Sequence, residues 1–369
     1  MKEKEVLRIL HVTVGMDRGG IENFLMNIYR KVDRKKIQFD FLIHLEEEQA
    51  FEREILELGG KIYRTPALGK VGPFKYQKAL NNFFKEHDYK IVHSHYNAVN
   101  GVILNEAKKC GIKNRISHSH TSYPKYRLFE KLYKEYYSKF LLKFVATKKY
   151  ACSKKAGQWL YKSNFEVINN GIDTKEYSYK FEERLKVRNE LKIAEEKIVI
   201  GHVGRFVDEK NHRFLIEIFK KLYKKNKNYS LIMIGDGVLK KEIEENLSLD
   251  KELFKNVYFL GIREDVKNLL QGMDIMIFPS KFEGLPVALV EAQGSGLKCF
   301  VSKNVSEEID LGCNLVTFIG LDKPVDEWVE IIEKNIEYKR RDTVEYIKKA
   351  GYDVSDNANY LEKMYLNLE

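Results

Sequence analysis

Short apolar runs recur along the chain about one β-α unit apart, with longer stretches of helical spacing between them. In the first half the runs that read as strands are Val6–Val14, Phe39–Ile43, Lys61–Arg64, Ile91–His93, Arg115–His118 and Tyr150–Ser153. Helical patterns such as Ile21–Lys31, Phe74–Glu86 and Ala98–Lys109 separate them. The second half repeats the style with Ile198–Val203, Leu231–Ile234, Val257–Leu260, Asp274–Phe278 and Lys298–Val301. This alternation predicts an α/β chain of two doubly wound, Rossmann-like domains facing a central cleft, with ligands bound beyond the carboxyl ends of the strands. The seam falls at Asn169-Asn170-Gly171-Ile172-Asp173, whose Asn, Gly and Asp residues tolerate unusual backbone angles and could serve as a hinge. The expected division is residues 1–170, residues 171–350, and a C-terminal helix over 351–369 that returns to the first domain.

Composition narrows the class. The 369 residues suffice for two domains, and 44% hydrophobic, 32% charged and 12% aromatic content excludes disordered and collagen-like chains. No apolar run approaches the ~18–20 residues of a membrane span. The opening MKEKEVLRILHVTVG carries charges where a signal peptide needs its apolar stretch, so a cytoplasmic protein is expected. Cys110, Cys152, Cys299 and Cys313 show no ligand or disulfide spacing and read as small core residues. The net charge of +10 is unevenly placed: residues 1–170 hold 32 Lys+Arg and 18 Asp+Glu, net +14, and residues 171–369 hold 32 and 36, net −4. Such a basic field suits nucleic acid, anionic lipid or phosphorylated substrates.

The loops after the strands carry the candidate chemistry. After the first strand, Gly15-Met16-Asp17-Arg18-Gly19-Gly20-Ile21-Glu22 leads straight into a helix, whose free N–H groups and dipole favour an anion. It is neither GxGxxG nor GxxxxGK[ST], which disfavours a dehydrogenase and a P-loop enzyme. After Ile198–Val203, Gly204-Arg205-Phe206-Val207-Asp208-Glu209-Lys210 sets two cations five residues apart, a rigid fork and a mobile point charge suited to a departing diphosphate. After Asp274–Phe278, the segment from Pro279 to Ala292 places Glu283 in a loop and Glu291 two turns into the helix that Pro286 helps to start. Loop carboxylates accept from sugar hydroxyls, and the N–H groups of Val287 and Ala288 could hold a phosphate.

Together the glycine loop, GR-x4-K and the Glu-x7-Glu pair written EGLPVALVE resemble the retaining glycosyltransferases of family 4, which have the GT-B fold, in their bacterial capsule, exopolysaccharide and lipopolysaccharide branch. The NNGID seam and FLGIREDV extend the similarity over essentially the whole chain. The resemblance implies a hexose or N-acetylhexosamine moved from a nucleotide sugar, a UDP-sugar on family grounds, to a glycan or lipid-pyrophosphate-linked acceptor held by the first domain. It assigns Arg205 and Lys210 to the donor diphosphate, Glu283 to the transferred sugar, and Glu291 to the ribose. Gly19 and Gly20 would meet the phosphates, Gly204, Gly284 and Leu285 would line the donor site, and backbone near Ile262 and Arg263 would read the base. A histidine beside the donor sugar is implied too, with His118 and His120 both open as candidates. His93, His95, His118 and His120 are read as polar residues lining the cleft rather than metal ligands, because no thiolate, carboxylate partner set or Asp-x-Asp accompanies them. No metal and no cofactor is expected.

Residues 125–155 hold ten positive side chains: Lys125, Arg127, Lys131, Lys134, Lys139, Lys143, Lys148, Lys149, Lys154 and Lys155. Within 126–145, Leu128, Phe129, Leu132, Tyr133, Tyr136, Tyr137, Phe140, Leu141, Phe144 and Val145 fall at i, i+3, i+4 spacing, predicting one apolar stripe opposite the lysines. Such a helix either packs on the first domain or lies on an anionic membrane at the inner cell face. A GT-B nucleotide-sugar epimerase and, more remotely, a nucleic-acid binder are the competing classes; no nucleic-acid recognition motif supports the latter.

Overall fold

A computed structural model describes residues 6–121 and 132–369. The chain forms two compact units, one of the described residues up to Gly171 together with Asp353–Glu369, the other Ile172–Tyr352. In the first, β1 (Leu7–Val12), β2 (Ile37–Ile43), β3 (Ile62–Arg64), β4 (Ile91–Ser94), β5 (Asn114–Ser119), β6 (Lys148–Ala151) and β7 (Glu166–Val167) make a parallel sheet in the order β3-β2-β1-β4-β5-β6-β7. In the second, β8 (Ile198–Val203), β9 (Tyr229–Ile234), β10 (Val257–Phe259), β11 (Ile275–Phe278), β12 (Lys298–Ser302) and β13 (Val316–Ile319) are ordered β10-β9-β8-β11-β12-β13, again parallel. Both orders reverse direction beside the first strand of their sheet, the place where such sheets open a binding crevice at their carboxyl ends.

Both faces of each sheet are covered, which is why the central strands read as nearly continuous apolar runs. Alternate side chains feed two cores. In the first sheet Ile9, Phe39, Phe41, Ile91 and Ile116 pack with the helices Gly20–Lys31 and Val354–Leu366. Leu10, Val12, Leu42 and Val92 pack on the other side with Leu68–Glu86 and Asn100–Lys109. The C-terminal helix belongs to the first unit, contributing Val354, Ala358, Leu361, Met364 and Tyr365 to its core.

Several local expectations are corrected. None of Asn169–Asp173 has a positive φ; Asp173 instead caps the short helix Thr174–Tyr177, accepting from the N–H groups of Lys175 and Glu176. β6 begins at Lys148, two residues earlier than expected, while β7 and β13 carry no hydrophobic alternation long enough to register. Cys299 and Cys313 are buried, but Cys110 and Cys152 are only half-buried. Lys125, Arg127, Leu128, Phe129 and Lys131 lie outside the described residues. The chain is π-helical over Leu132–Ser138 and α-helical over Lys139–Val145. The apolar residues of this segment do not form one stripe: Leu142 and Val145 are buried, whereas Leu132, Tyr136, Tyr137, Phe140 and Phe144 are exposed at 53, 64, 43, 56 and 61%. No helix among the described residues is long and apolar enough to cross a membrane.

Candidate functional site

In the second unit the loops at the carboxyl ends of β8, β9, β10 and β11 are laced together by backbone and side-chain bonds. Gly235 N–H donates to the Gly261 carbonyl at 2.8 Å and Phe206 N–H to that of Asp236 at 2.9 Å. Lys281 N–H donates to Glu209 at 2.8 Å, the Asn211 amide to Pro279 at 3.1 Å, and Lys281 Nζ pairs with Asp208 at 2.7 Å. Gly235 has φ +134°, and a Cβ there would run into the Gly204 carbonyl oxygen, so only glycine lets these two loops touch. A Cβ on Gly204 would lie 3.2 Å from Lys210 Cδ and Cε, so its absence clears the path of that side chain.

Within this frame the sequence candidates fall into distinct states. Arg205 is exposed, and its guanidinium makes no hydrogen bond or ion pair among the described residues. Lys210 reaches across the Phe278 ring, 4.7 Å from its centroid, to pair with Glu283 Oε1 at 2.6 Å, both side chains largely covered. Glu283 is pinned by a β-bridge to Val305. Gly284 and Leu285 lead from it to Pro286, which caps the helix Val287–Gly294; no side chain caps this terminus, leaving the N–H groups of Val287 and Ala288 as donors for a ligand. Glu291 is partnered within the unit: the Tyr177 hydroxyl donates to its Oε1 at 2.8 Å. Burial pushes the Glu291 carboxyl above the usual range and this hydrogen bond pulls it partly back. Ile262 is 64% exposed, while the Arg263 side chain is committed to Asp265 at 2.6 Å and Glu190 at 3.3 Å, leaving its backbone for recognition.

The first unit holds the remaining candidates. Gly19 caps the helix Gly20–Lys31 with no side-chain cap of its own, but the Glu22 carboxylate lies over this N-terminus and accepts from the backbone N–H groups of Ile21 and Glu22, so an incoming anion would have to displace it. Structure separates His118 from His120. His118 is fully buried with neither ring nitrogen partnered, its ring stacked 4.1 Å from that of His120. His120 is half-buried, its backbone N–H donating to Asn97 Oδ1 at 2.7 Å and its Nε2 lying 2.9 Å from His95 Nδ1, so of the two it is the one that reaches the surface. His93 and His95 are not lining residues: both are buried, at 0 and 1% exposure. They pack with His11, on which no sequence signal fell, because a lone histidine in an apolar strand reads as core. Desolvation holds His11 and His120 down to about 3 and keeps the whole group neutral.

Sequence reasoning also missed Tyr177, the Asp208–Lys281 brace and the Gly235-Asp236-Gly237 loop. The last had a legible signal, two glycines directly after a strand. The others are pairings over 114 and 73 residues, which no local pattern announces.

Comparison with known proteins places the chain in a family. The family profile described as glycosyl transferases group 1 matches residues 183–354, and that described as Glycosyltransferase Family 4 matches residues 18–176. The protein EpsF of Bacillus subtilis (strain 168) is 35% identical over 97% of this chain and 96% of its own. A capsular polysaccharide biosynthesis glycosyltransferase, CapH of Staphylococcus aureus, is 24% identical over 98% and 99%. An Escherichia coli UDP-Gal:alpha-D-GlcNAc-diphosphoundecaprenol alpha-1,3-galactosyltransferase is 32% identical over 37% of this chain and 36% of its own. Among solved structures, Anabaena HepE in complex with UDP-glucose superposes with a TM-score of 0.69 over 98% of this chain and 97% of that one, at 20% identity. An epimerase activity gains no support from these matches. The chain belongs to the family 4, group 1 glycosyltransferases and has the GT-B fold, and it is an enzyme of glycosyl transfer.

Proposed function

We propose that the protein transfers a hexose or N-acetylhexosamine from a UDP-sugar, with retention, to a glycan or lipid-pyrophosphate-linked acceptor in cell-surface polysaccharide synthesis. The observation that carries this reading is the grouping of an uncommitted Arg205, the Lys210–Glu283 pair and the bare N-terminus at Val287 within one laced set of loops. A diphosphate accepts from that terminus and from Arg205, and draws Lys210 away from Glu283. Glu283 is thereby freed to accept from sugar hydroxyls, and Glu291 from the ribose. As the bond from the anomeric carbon to the phosphate oxygen breaks, the acceptor oxygen bonds the same face of that carbon. Its proton passes to the departing phosphate, so charge and atoms balance without a protein nucleophile. No metal is needed at the diphosphate, since cations and a helix dipole already face it. The relatives named for UDP-Gal and for capsular polysaccharide support the donor and the pathway class.

The exposed aromatic face of Leu132–Val145, with the exposed Lys143 on the same segment, supports peripheral attachment to an anionic membrane at its cytoplasmic face, where a lipid-linked acceptor would be presented. The donor assignment is tested by thermal shift and slow donor hydrolysis over a panel of sugar nucleotides, followed by mass analysis of the product from a lipid extract. UDP-sugars are expected to stabilise the protein, and Arg205→Ala or Lys210→Ala to cut turnover about a hundredfold or more with the fold intact. Near-normal rates in both variants, or a response to polynucleotide alone, would overturn it.

A further inference from the structure

The apolar face of the first sheet changes character at its carboxyl ends. On three adjacent strands the inward positions run Ile9 then His11, Ile91 then His93 and His95, and Ile116 then His118 and His120, with His11 directly opposite His93 in register. Four buried imidazoles and the half-buried His120 thus occupy one layer beneath Phe24 and Tyr365, where methyl groups would ordinarily sit. Burying a polar ring without a partner is unfavourable. Here His11 Nε2, His93 Nε2 and both nitrogens of His118 lack one. The donor site uses none of His11, His93 or His95.

One ring nitrogen from each of His11, His93 and His95 lies within 4.8 Å of the others. His11 Nδ1 and His95 Nε2 are already 3.0 Å apart, against about 3.4 Å for two nitrogens on a tetrahedral zinc with bonds of 2.0–2.1 Å. The far nitrogens of two of the rings are supported as metal-bound imidazoles usually are: His93 Nδ1 is 2.6 Å from the Tyr365 hydroxyl, and His95 Nδ1 is 2.9 Å from His120 Nε2. With each Nδ1–H donated outward, His93 and His95 present Nε2 lone pairs inward. All-imidazole donors with no carboxylate suit zinc and its late first-row neighbours, not magnesium or calcium.

We propose that His11, His93 and His95 form a binding site for a divalent late first-row cation, zinc in the first instance, with a fourth position left to water or an anion. The ion would staple β1 to β4 and, through Tyr365, to the C-terminal helix. It uses none of the side chains assigned to the donor diphosphate, so its test does not depend on transfer activity.

The full chain, stripped with a chelator, is titrated with Zn2+ against a chromophoric competitor, and Co2+ is added to record its visible absorption. One tight equivalent and an intense tetrahedral Co2+ band are expected. Tyr365→Phe keeps the three imidazoles and the packing and should weaken zinc about tenfold, the cost of an outer-shell partner. His11→Asn and His93→Asn should weaken it about a hundredfold or more, whereas His118→Asn should not. A second triad, His95, His118 and His120, makes the alternative measurable. Zinc lost in His118→Asn but kept in His11→Asn overturns the placement, and no stoichiometric zinc in the wild type overturns the site. Should the histidine variants not fold, anomalous scattering from Zn2+-soaked wild-type crystals decides, with a peak among His11, His93 and His95 expected and its absence counting against the proposal.

Discussion

A lysine and a glutamate 73 positions apart, paired at 2.6 Å and mostly shielded from water, define the resting state of the donor site. Such a pair is costly to leave half-broken, so it gives way only to a ligand that offers both partners something better. Glu291 poses the same problem differently, since a carboxylate inside LPVALVEA is tolerable because Tyr177 donates to it. Tyr177→Phe keeps the ring and removes that bond. If Glu291 holds the donor in ground state and transition state alike, the KM for the donor should rise about tenfold while kcat stays within about twofold. Steady-state kinetics at varied donor concentration checks this, and an unchanged KM would show that Glu291 needs no positioning. Neither partner's identity is legible in the motif. The motif supplies the residue types, and long-range pairing decides which group each one meets.

At the level of elements, the segment from Leu132 to Val145 shows what periodicity leaves open. Apolar spacing predicts a helix there, and one side of it indeed buries Leu142 and Val145. The other side presents Leu132, Tyr136, Phe140 and Phe144, one below another at intervals of four residues, to solvent. Both sides satisfy helical i, i+3 or i, i+4 spacing, so sequence alone could not say which faces the core. Flotation with anionic vesicles should recover the protein, less so as salt is raised. The double change Phe140→Ser and Phe144→Ser should lower the vesicle partition coefficient about a hundredfold or more, given about 1.5–3 kcal/mol for each fully buried Phe. Its melting temperature should scarcely move, as expected for exposed sites. Equal recovery with neutral and anionic vesicles would count against membrane attachment.

For the whole molecule, histidines buried in both units make folding sensitive to acid. His44, held between the Thr13 carbonyl and Tyr76, is pushed down to about 4 by desolvation, His212 likewise to about 4, and His202 well below its ordinary value. A depressed pKa means that below about 6.5 the unfolded chain binds protons the native chain refuses. Stability should therefore be full above about pH 6.5 and fall as the pH drops toward about 4, by about 1.4 kcal/mol per pH unit for each such histidine. Calorimetry across that range checks the sign, and His44→Gln should flatten the slope; a pH-independent melting temperature would refute it. Local pattern specified the α/β alternation, most strands of both sheets, and the residue types at the strand ends, because each is written in neighbouring positions. Packing in three dimensions settled which of His118 and His120 reaches the surface, that Lys210 rests on Glu283, and that five histidines from three strands share one layer. Parallel strands are joined through helices, so the residues that become neighbours across the sheet are distant along the chain. Their register is set by the packing of the whole unit, which no local pattern encodes.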